Sequence, residues 1–230
     1  MIKQIDEKRH YFDWAASSPY FPNHTDSRCE TDNLYGNPSS LHSEGRAAKT
    51  ALEDARARCA DVLKVPPETL FFTSGGTESN GIALLSTLGR IGKGRVISSL
   101  GEHPSIREGM ETLEKMGKLT GSITIDASGR VTPVLMEKAI VKYGDVRFVS
   151  IMSVNNETGS ITDIDSLKKK NSELLPPAHF HCDIVQSVGK IPVDITGWEI
   201  DSASISAHKI GGPRGIGLLY FRKSTAQSKP

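Results

Sequence analysis

A lysine at position 209 stands between an apolar run, residues 203–206, and a turn that carries several glycines. An amine in a desolvated site near other positive groups loses its proton more readily than a solvated amine. Such an amine can form a Schiff base with an aldehyde. Ser206 and His208 flank the lysine and can donate hydrogen bonds to a phosphate. Most loop lysines are simply solvated, so Lys209 is a candidate for covalent chemistry that needs support from other residues.

A second candidate, TSGGTESN at 73–80, follows one apolar run and precedes a helical stretch. Gly75 and Gly76 let the backbone turn tightly and approach an anion closely. The N–H groups at the helix start, with the positive end of the helix dipole, then face that anion, and Thr77 can add a hydroxyl donor. The alternative is an ordinary strand–helix turn with Thr77 or Ser74 as its N-cap. The motif is not a Walker loop, because no Gly-Lys-Ser/Thr follows it.

A carboxylate, Asp183, lies near the end of the apolar run 179–185, and Gln186 follows three residues later. A charged group in such a setting is costly unless it has a charged or hydrogen-bonding partner. A protonated pyridine nitrogen would be such a partner, and Gln186 could reach an oxygen on the same ring. The alternative is that Asp183 is a helix N-cap.

Two further candidates follow apolar runs. His103 precedes a proline that can start a helix, where it would cap the helix, stack on a flat ring or move a proton. SVNNETG at 153–159 places two amides and a carboxylate where they could orient a polar ligand. A turn built from asparagine side chains and closed by Gly159 is the simpler interpretation of that motif.

Strands have to position these candidates, because each candidate follows a short apolar run. The runs lie at 70–73, 95–99, 123–125, 147–152, 179–185, 203–206 and 217–221. Stretches with helical periodicity separate most of them, at 43–63, 77–90, 105–117, 133–143 and 163–174. This alternation predicts an α/β fold of three layers, α/β/α, with a mostly parallel sheet. In such sheets, ligands bind at the carboxyl ends of the strands.

The composition excludes several other classes of protein. With 230 residues, 37% apolar and 24% charged, the chain is expected to be globular, with one sizeable core. The net charge of +1 without a basic stripe indicates no nucleic-acid partner. Neither a secretory signal nor a membrane-spanning stretch is predicted, and we assign no metal ligands. Three widely spaced cysteines, Cys29, Cys59 and Cys182, favour a reducing compartment, most simply the cytoplasm.

Taken together, several segments resemble the cysteine desulfurase branch of the class V aminotransferases, within the fold-type I enzymes that use pyridoxal 5'-phosphate (PLP). They are YFDWAASSP at 11–19, YGNPSSLHSEGRAA at 35–48, FFTSGGTESN at 71–80, EHPS at 102–105, SVNNETG at 153–159, HCDIVQSVGK at 181–190 and SAHKIGGPRGIGLLY at 206–220. The resemblance implies a PLP-binding large domain over residues 37–230, preceded by an N-terminal segment, 1–36.

The resemblance also implies a role for each matching residue. Lys209 would bind PLP as a Schiff base and later shuttle protons at the substrate α-carbon. His103 would stack on the pyridine ring and assist proton transfer. Asp183 would keep the ring nitrogen protonated, so that the ring can accept electrons. Gln186 would bond the phenolic oxygen of the ring.

Other roles that the resemblance implies concern the phosphate and the substrate. The residues expected to hold the phosphate are Gly76, Thr77, Ser206 and His208. Asn155 would face the substrate and the ring oxygen, and Asn37 would line the substrate entrance. The implied reaction converts L-cysteine to L-alanine and leaves sulfur on an enzyme cysteine as a persulfide, for transfer to an acceptor protein. The implied assembly is a homodimer.

The chain also departs from the family pattern. Family members are longer and carry a C-terminal small domain, with the nucleophilic cysteine and the arginine that binds the substrate carboxylate. That part is missing here, so the large domain is expected to be incomplete. None of Cys29, Cys59 and Cys182 occupies the place of the nucleophile, so sulfur transfer is expected to be lost. The alternatives are an inactive PLP-binding fragment or remnant that pairs with a partner subunit, and another class V enzyme such as a selenocysteine lyase.

Overall fold

The computed structural model describes residues 10–20, 34–90, 92–174 and 176–222. Its helices, in chain order, are α1 Ser43–Leu63, α2 Gly76–Leu85, α3 Thr87–Arg90, α4 Pro104–Lys115, α5 Pro133–Tyr143 and α6 Ile164–Ser172. Its strands are β1 Leu70–Thr73, β2 Arg95–Ser99, β3 Thr120–Ile123, β4 Val146–Met152, β5 His179–Asp183, β6 Ser202–Ser206 and β7 Gly217–Phe221. Short 3-10 turns precede β1, at Pro67–Thr69, and follow β6, at Ala207–Lys209.

These strands form one sheet in the order β1-β7-β6-β5-β4-β2-β3. β7 is antiparallel to both its neighbours, while the four pairings from β6 through to β3 are parallel. The predicted mostly parallel α/β sheet is therefore confirmed. β3 lies at Thr120–Ile123 and not at 123–125, because the chain already turns at Asp126, whose carboxylate accepts the Ser128 N–H at 2.8 Å.

Helices cover both faces of the sheet, as a three-layer fold requires. Successive side chains of a strand point to opposite faces. Val96 and Phe148 therefore pack with α2 and α4 on one face, whereas Ile97 and Val149 pack with α1, α5 and α6 on the other. All four side chains are fully buried, and burial of each contributes about 2 kcal/mol to stability.

Helices α2 and α4, which begin at the candidate motifs, pack closely against each other. A Cβ atom at Gly109 of α4 would lie 2.5 Å from Leu84 Cδ1 of α2, so glycine permits this approach. The predicted helix 77–90 divides into α2 and α3, because the Thr87 hydroxyl donates back to Leu84 O at 2.6 Å. Such local side-chain bonds compete with continuous helix.

Part of the predicted N-terminal segment lies against the end of β6. The Ser18 N–H donates to His208 O at 2.8 Å, and the Ser18 hydroxyl accepts the Gly211 N–H at 2.6 Å. These contacts join residues about 190 positions apart in the chain. Residues 10–20 are therefore positioned to contribute to a site at the carboxyl end of β6.

Within the described ranges, no helix combines the length and apolar composition needed to cross a membrane. The longest of them, α1, carries charged residues along its whole length. The same ranges contain no group of three or more His, Cys, Asp or Glu side chains placed to hold a metal ion.

Candidate functional site

A cavity of about 290 Å³ opens where β4, β5 and β6 end and α2 begins. Eight of the residues singled out from the sequence line it: Gly76, Thr77, His103, Asp183, Gln186, Ser206, His208 and Lys209. They come from segments up to 133 positions apart in the chain (209 − 76). The carboxyl edge of the sheet brings them together, because parallel strands end at the same edge.

Lys209 presents its amine to this cavity from the 3-10 turn after β6. The amine donates to the backbone carbonyls of Ala15 at 2.5 Å and Ala16 at 2.9 Å. Burial lowers the pKa of Lys209, and the nearby carboxylates of Asp183 and Asp13 oppose this only in part. A less basic amine is more often unprotonated, which is the form that attacks an aldehyde.

Asp183 is the carboxylate of the cavity and is only 3% exposed. Its Oδ2 accepts from Asn80 Nδ2 at 2.8 Å and its Oδ1 accepts from Val185 N at 3.0 Å. Burial raises the pKa of Asp183, and the Asn80 hydrogen bond is the largest opposing effect. Among the residues that the structure describes, none forms an ion pair with it. A buried carboxylate of this kind is suited to a cationic ligand group.

The start of α2 also lines the cavity and is the end predicted to bind an anion. Gly76 is the first residue of α2, and a Cβ there would lie 2.7 Å from Val185 Cγ2. The adjacent β7 backbone also approaches closely, since a Cβ at Gly217 would lie 2.6 Å from Gly75 Cα. Glycine at these positions permits this close packing, and Gly75 at the N-cap leaves the helix N–H groups without a side-chain cap, which suits phosphate binding.

His208 and Ser206 lie at the same end of the cavity. The Ser206 hydroxyl and His208 Nδ1 are 2.9 Å apart. Burial lowers the pKa of His208, and the positive charges of Lys209 and Arg214 lower it further. A hydroxyl and a ring N–H beside a helix N-terminus are suitable donors to phosphate oxygens.

His103 and Gln186 line the cavity, and both are hydrogen-bonded to other parts of the chain. His103 caps α4, and its Nδ1 accepts the Ser105 N–H at 3.1 Å. Gln186 donates from Nε2 to Ala15 O at 2.8 Å, and its Oε1 accepts from Lys190 Nζ at 2.6 Å. Both residues are thus held in place without a ligand.

Two predicted residues, Asn155 and Asn37, do not line the cavity. The Asn155 amide donates to Gly101 O at 2.9 Å and accepts the Thr158 N–H at 2.8 Å, so it closes the turn after β4. Asn37 is exposed and accepts the Ser39 N–H within its own turn. Asn156, the neighbour of Asn155, lines the cavity instead.

Sequence reasoning also missed Asn80 and Ala16, which line the cavity as well. Both lie inside motifs already singled out, FFTSGGTESN and YFDWAASSP. Asn80 is three residues after Thr77, so both lie on one face of α2. That helical spacing is the signal by which Asn80 could have been found.

The two described cysteines lie away from the cavity. Cys182 is fully buried in the sheet, and burial raises the pKa of its thiol well above the usual value. Cys59 is half-buried on α1, and burial raises its pKa as well. Neither thiol is therefore activated as a thiolate. Cys29 lies outside the described residues.

Glu102 borders the site and makes stability depend on pH. It is 4% exposed, and burial together with the charge of Asp183 raises its pKa to about 8. Because this pKa exceeds the unfolded value, the stabilising contribution is complete at acid pH and is lost as the pH rises towards 8. Replacing Glu102→Gln should remove a decline of up to about 1.4 kcal/mol per pH unit in the free energy of unfolding.

Urea unfolding between about pH 5 and pH 8 measures this decline. Glutamine keeps an oxygen to accept the Met152 N–H, which Glu102 accepts at 2.6 Å. Glu111→Gln, at an exposed position of α4, is the control and should retain the wild-type pH dependence. Equal slopes for wild type and Glu102→Gln would contradict the prediction.

Comparison with known proteins identifies the family of this chain. Residues 10–230 match the class V aminotransferase family. The chain is 40% identical over 222 residues to a cysteine desulfurase IscS of Dictyoglomus turgidum, covering 94% of this chain and 54% of that protein. It is 35% identical over 226 residues to a putative cysteine desulfurase IscS 1 of Bacillus subtilis, covering 96% and 58%. The chain thus spans about half the length of these curated relatives.

Comparison with solved structures also finds proteins that are similar to this chain. A NifS-like protein superposes with a TM-score of 0.85 at 35% identity, covering 94% of this chain and 60% of that structure. SspA in complex with cysteine superposes with a TM-score of 0.83 at 34% identity, covering 94% and 62%. Because the family match covers residues 10–230 and the fold superposes on these solved structures, this chain belongs to the class V aminotransferase family.

Proposed function

We propose that this cavity binds PLP, with Lys209 as its covalent partner, and that the chain carries the cofactor-binding part of a cysteine desulfurase. The observation that supports this most directly is the combination of three groups in one cavity. A half-buried amine, a buried carboxylate without an ion-pair partner among the described residues, and a helix N-terminus without a side-chain cap suit an aldehyde, a pyridinium and a phosphate respectively.

The bound cofactor supplies an electron sink that stabilises the negative charge left when a proton leaves the substrate α-carbon. In this proposal, Lys209 would hold the cofactor covalently through Nζ and, once the substrate amine has displaced Nζ, would accept the α-proton. Asp183 holds a proton on the ring nitrogen through its charge. The N–H groups of α2, with Thr77, Ser206 and His208, orient the phosphate. His103, which lines the cavity at the start of α4, would contact the ring.

We further propose L-cysteine as the substrate, with Asn156 in the role that the sequence suggested for Asn155. One of the similar solved structures is a complex with cysteine, and Asn156 lines the cavity where its neighbour does not. Asn37 is proposed only for the substrate entrance, because it lies in an exposed turn and does not line the cavity.

The proposed assembly is a homodimer, and passing sulfur to an acceptor protein would require an activated thiol, which neither Cys59 nor Cys182 supplies. Phe12, Tyr35 and Leu41 are each more than 80% exposed, and large apolar side chains left in water are typical of an interface. A cytoplasmic location is also proposed, since both described cysteines are free thiols.

The proposal is tested by the visible absorption spectrum of the purified chain with added PLP, before and after borohydride reduction. A shifted band that borohydride converts into a permanent covalent adduct is the expected result. A spectrum identical to that of free PLP, without an adduct, would contradict the proposal.

Sulfur transfer is expected to fail in the 230-residue chain, because the thiols of Cys59 and Cys182 are buried and poorly ionised. With L-cysteine and a thiol reductant that releases persulfide sulfur as sulfide, the chain should not produce alanine and sulfide over many turnovers. The measurement is alanine and sulfide released per site. Sustained stoichiometric release would contradict the prediction, and its loss in Cys29→Ser or Cys59→Ser would identify the acceptor thiol.

A further inference from the structure

A chain of polar side chains runs behind the cavity, and Asn80 is its branching point. Asn80 is 1% exposed. Its Nδ2 donates to Asp183 Oδ2 at 2.8 Å and to Ser105 Oγ at 2.9 Å. Its Oδ1 lies 3.0 Å from His181 Nε2. The Asn80 amide therefore contacts Asp183 and Ser105 on the side of the cavity. It also contacts His181, which lies deeper in the sheet.

The direction of each hydrogen bond follows from the Asp183 carboxylate, which can only accept when ionised. Asn80 must therefore present its NH₂ to Asp183 and its oxygen to His181. Burial lowers the pKa of His181 to about 3, so its ring carries a single proton. That proton must sit on Nε2, because Asn80 Oδ1 accepts there. His181 Nδ1 then accepts from the Ser202 hydroxyl at 2.8 Å.

The other branch reaches His103. Ser105 Oγ accepts one hydrogen from Asn80, which leaves the Ser105 hydroxyl hydrogen free to donate to His103 Nδ1 at 2.8 Å. The Ser105 N–H points at the same nitrogen. Nδ1 of His103 is therefore an acceptor, and Nε2 is the nitrogen that can carry a proton towards the cavity.

We propose that Asn80 is a positioning residue that holds the Asp183 carboxylate and the His103 ring in one directed hydrogen-bond chain, with His181 fixing the orientation of its amide. Asn80 belongs to the helix whose first turn forms the anion-binding end of the cavity. One side chain thereby ties together three parts of the site. Only the effect on cofactor binding rests on the proposed function; the hydrogen-bond chain itself does not.

The test uses the full chain without cofactor. The ¹³C signal of the Asp183 carboxyl is followed against pH, and the ¹⁵N signals of His103 report its tautomer. Asn80→Ala should raise the pKa of Asp183 and shift both His103 nitrogens. Ser105→Ala, at a half-buried position, should shift the His103 signals and leave the Asp183 titration unchanged. In a separate measurement, Asn80→Ala should weaken PLP binding by about tenfold.

Asn171→Ala is the matched control, because Asn171 is also fully buried but donates to Ala178 O away from the cavity. It should change neither signal. A folded Asn80→Ala chain with wild-type Asp183 and His103 signals would overturn the proposal. If Asn80→Ala does not fold, unchanged His103 signals in Ser105→Ala overturn it instead. If the wild-type chain binds no PLP, the proposed function is wrong. The NMR signals of Asp183 and His103 would still test the role of Asn80, because they are measured without cofactor.

Discussion

Replacing Lys209 by alanine is expected to abolish the borohydride-stable bond between the chain and PLP. The bond requires an unprotonated amine at the cavity, and burial lowers the pKa of Lys209 there. The wild-type chain is reduced with borohydride and digested, and its peptides are analysed by mass spectrometry. The PLP adduct should lie in the peptide that contains residue 209. In Lys209→Ala, PLP should remain bound only reversibly, since the phosphate and ring contacts come from other residues.

A second lysine beside the cavity provides the control for this experiment. Lys190 donates to Gln186 Oε1 at 2.6 Å, and burial and the charge of Lys209 lower its pKa as well. Lys190→Ala should keep the adduct at residue 209. An adduct on Lys190 in the wild-type chain, or one that persists in Lys209→Ala, would assign the covalent role elsewhere.

Asp183→Asn should weaken PLP binding by about 100-fold, because a buried hydrogen-bonded charge pair contributes about 2–5 kcal/mol that a neutral amide cannot supply to the ring nitrogen. The same change should also flatten the pH dependence of stability in the cofactor-free chain. Burial raises the pKa of Asp183 above its unfolded value, so ionisation of this group opposes folding as the pH rises. The expected results are therefore a loss of PLP affinity and a smaller decline of stability as the pH rises.

Titration with PLP measures the affinity, and urea unfolding of the cofactor-free chain measures the stability. Asp201→Asn is the matched control, since Asp201 is a largely buried carboxylate paired with Lys168 at 3.2 Å. Breaking that pair should destabilise the fold and leave PLP affinity unchanged. Equal losses of affinity in both variants would mean that Asp183 acts only through folding.

Much of the candidate site could be predicted from the sequence, because each candidate directly follows an apolar run. Thr77, Asp183 and Lys209 are far apart in the chain, yet each comes at or after the end of a strand. In a mostly parallel sheet these ends meet at one edge. Alternation of strands and helices was thus sufficient to predict both the fold class and the common location of these residues.

The choice between Asn155 and Asn156 could not be made in this way. The two residues are identical in type and adjacent, so no pattern distinguishes them. The turn after β4 decides between them: the Asn155 side chain and backbone accept from Thr158 and Gly159, which turns its amide away from the cavity. Local hydrogen bonds of this kind depend on the backbone path and not on residue type alone.

By itself, the sequence determined the chemical types that meet at the site: an amine, a carboxylate, an imidazole and an anion-binding helix start. The tertiary structure decided how those groups are held. Ala15 and Lys209 are joined across 194 positions, and Asn80 and His181 across 101. Contacts over such separations form only when the sheet brings the segments together, because periodicity and motifs describe neighbours within one element.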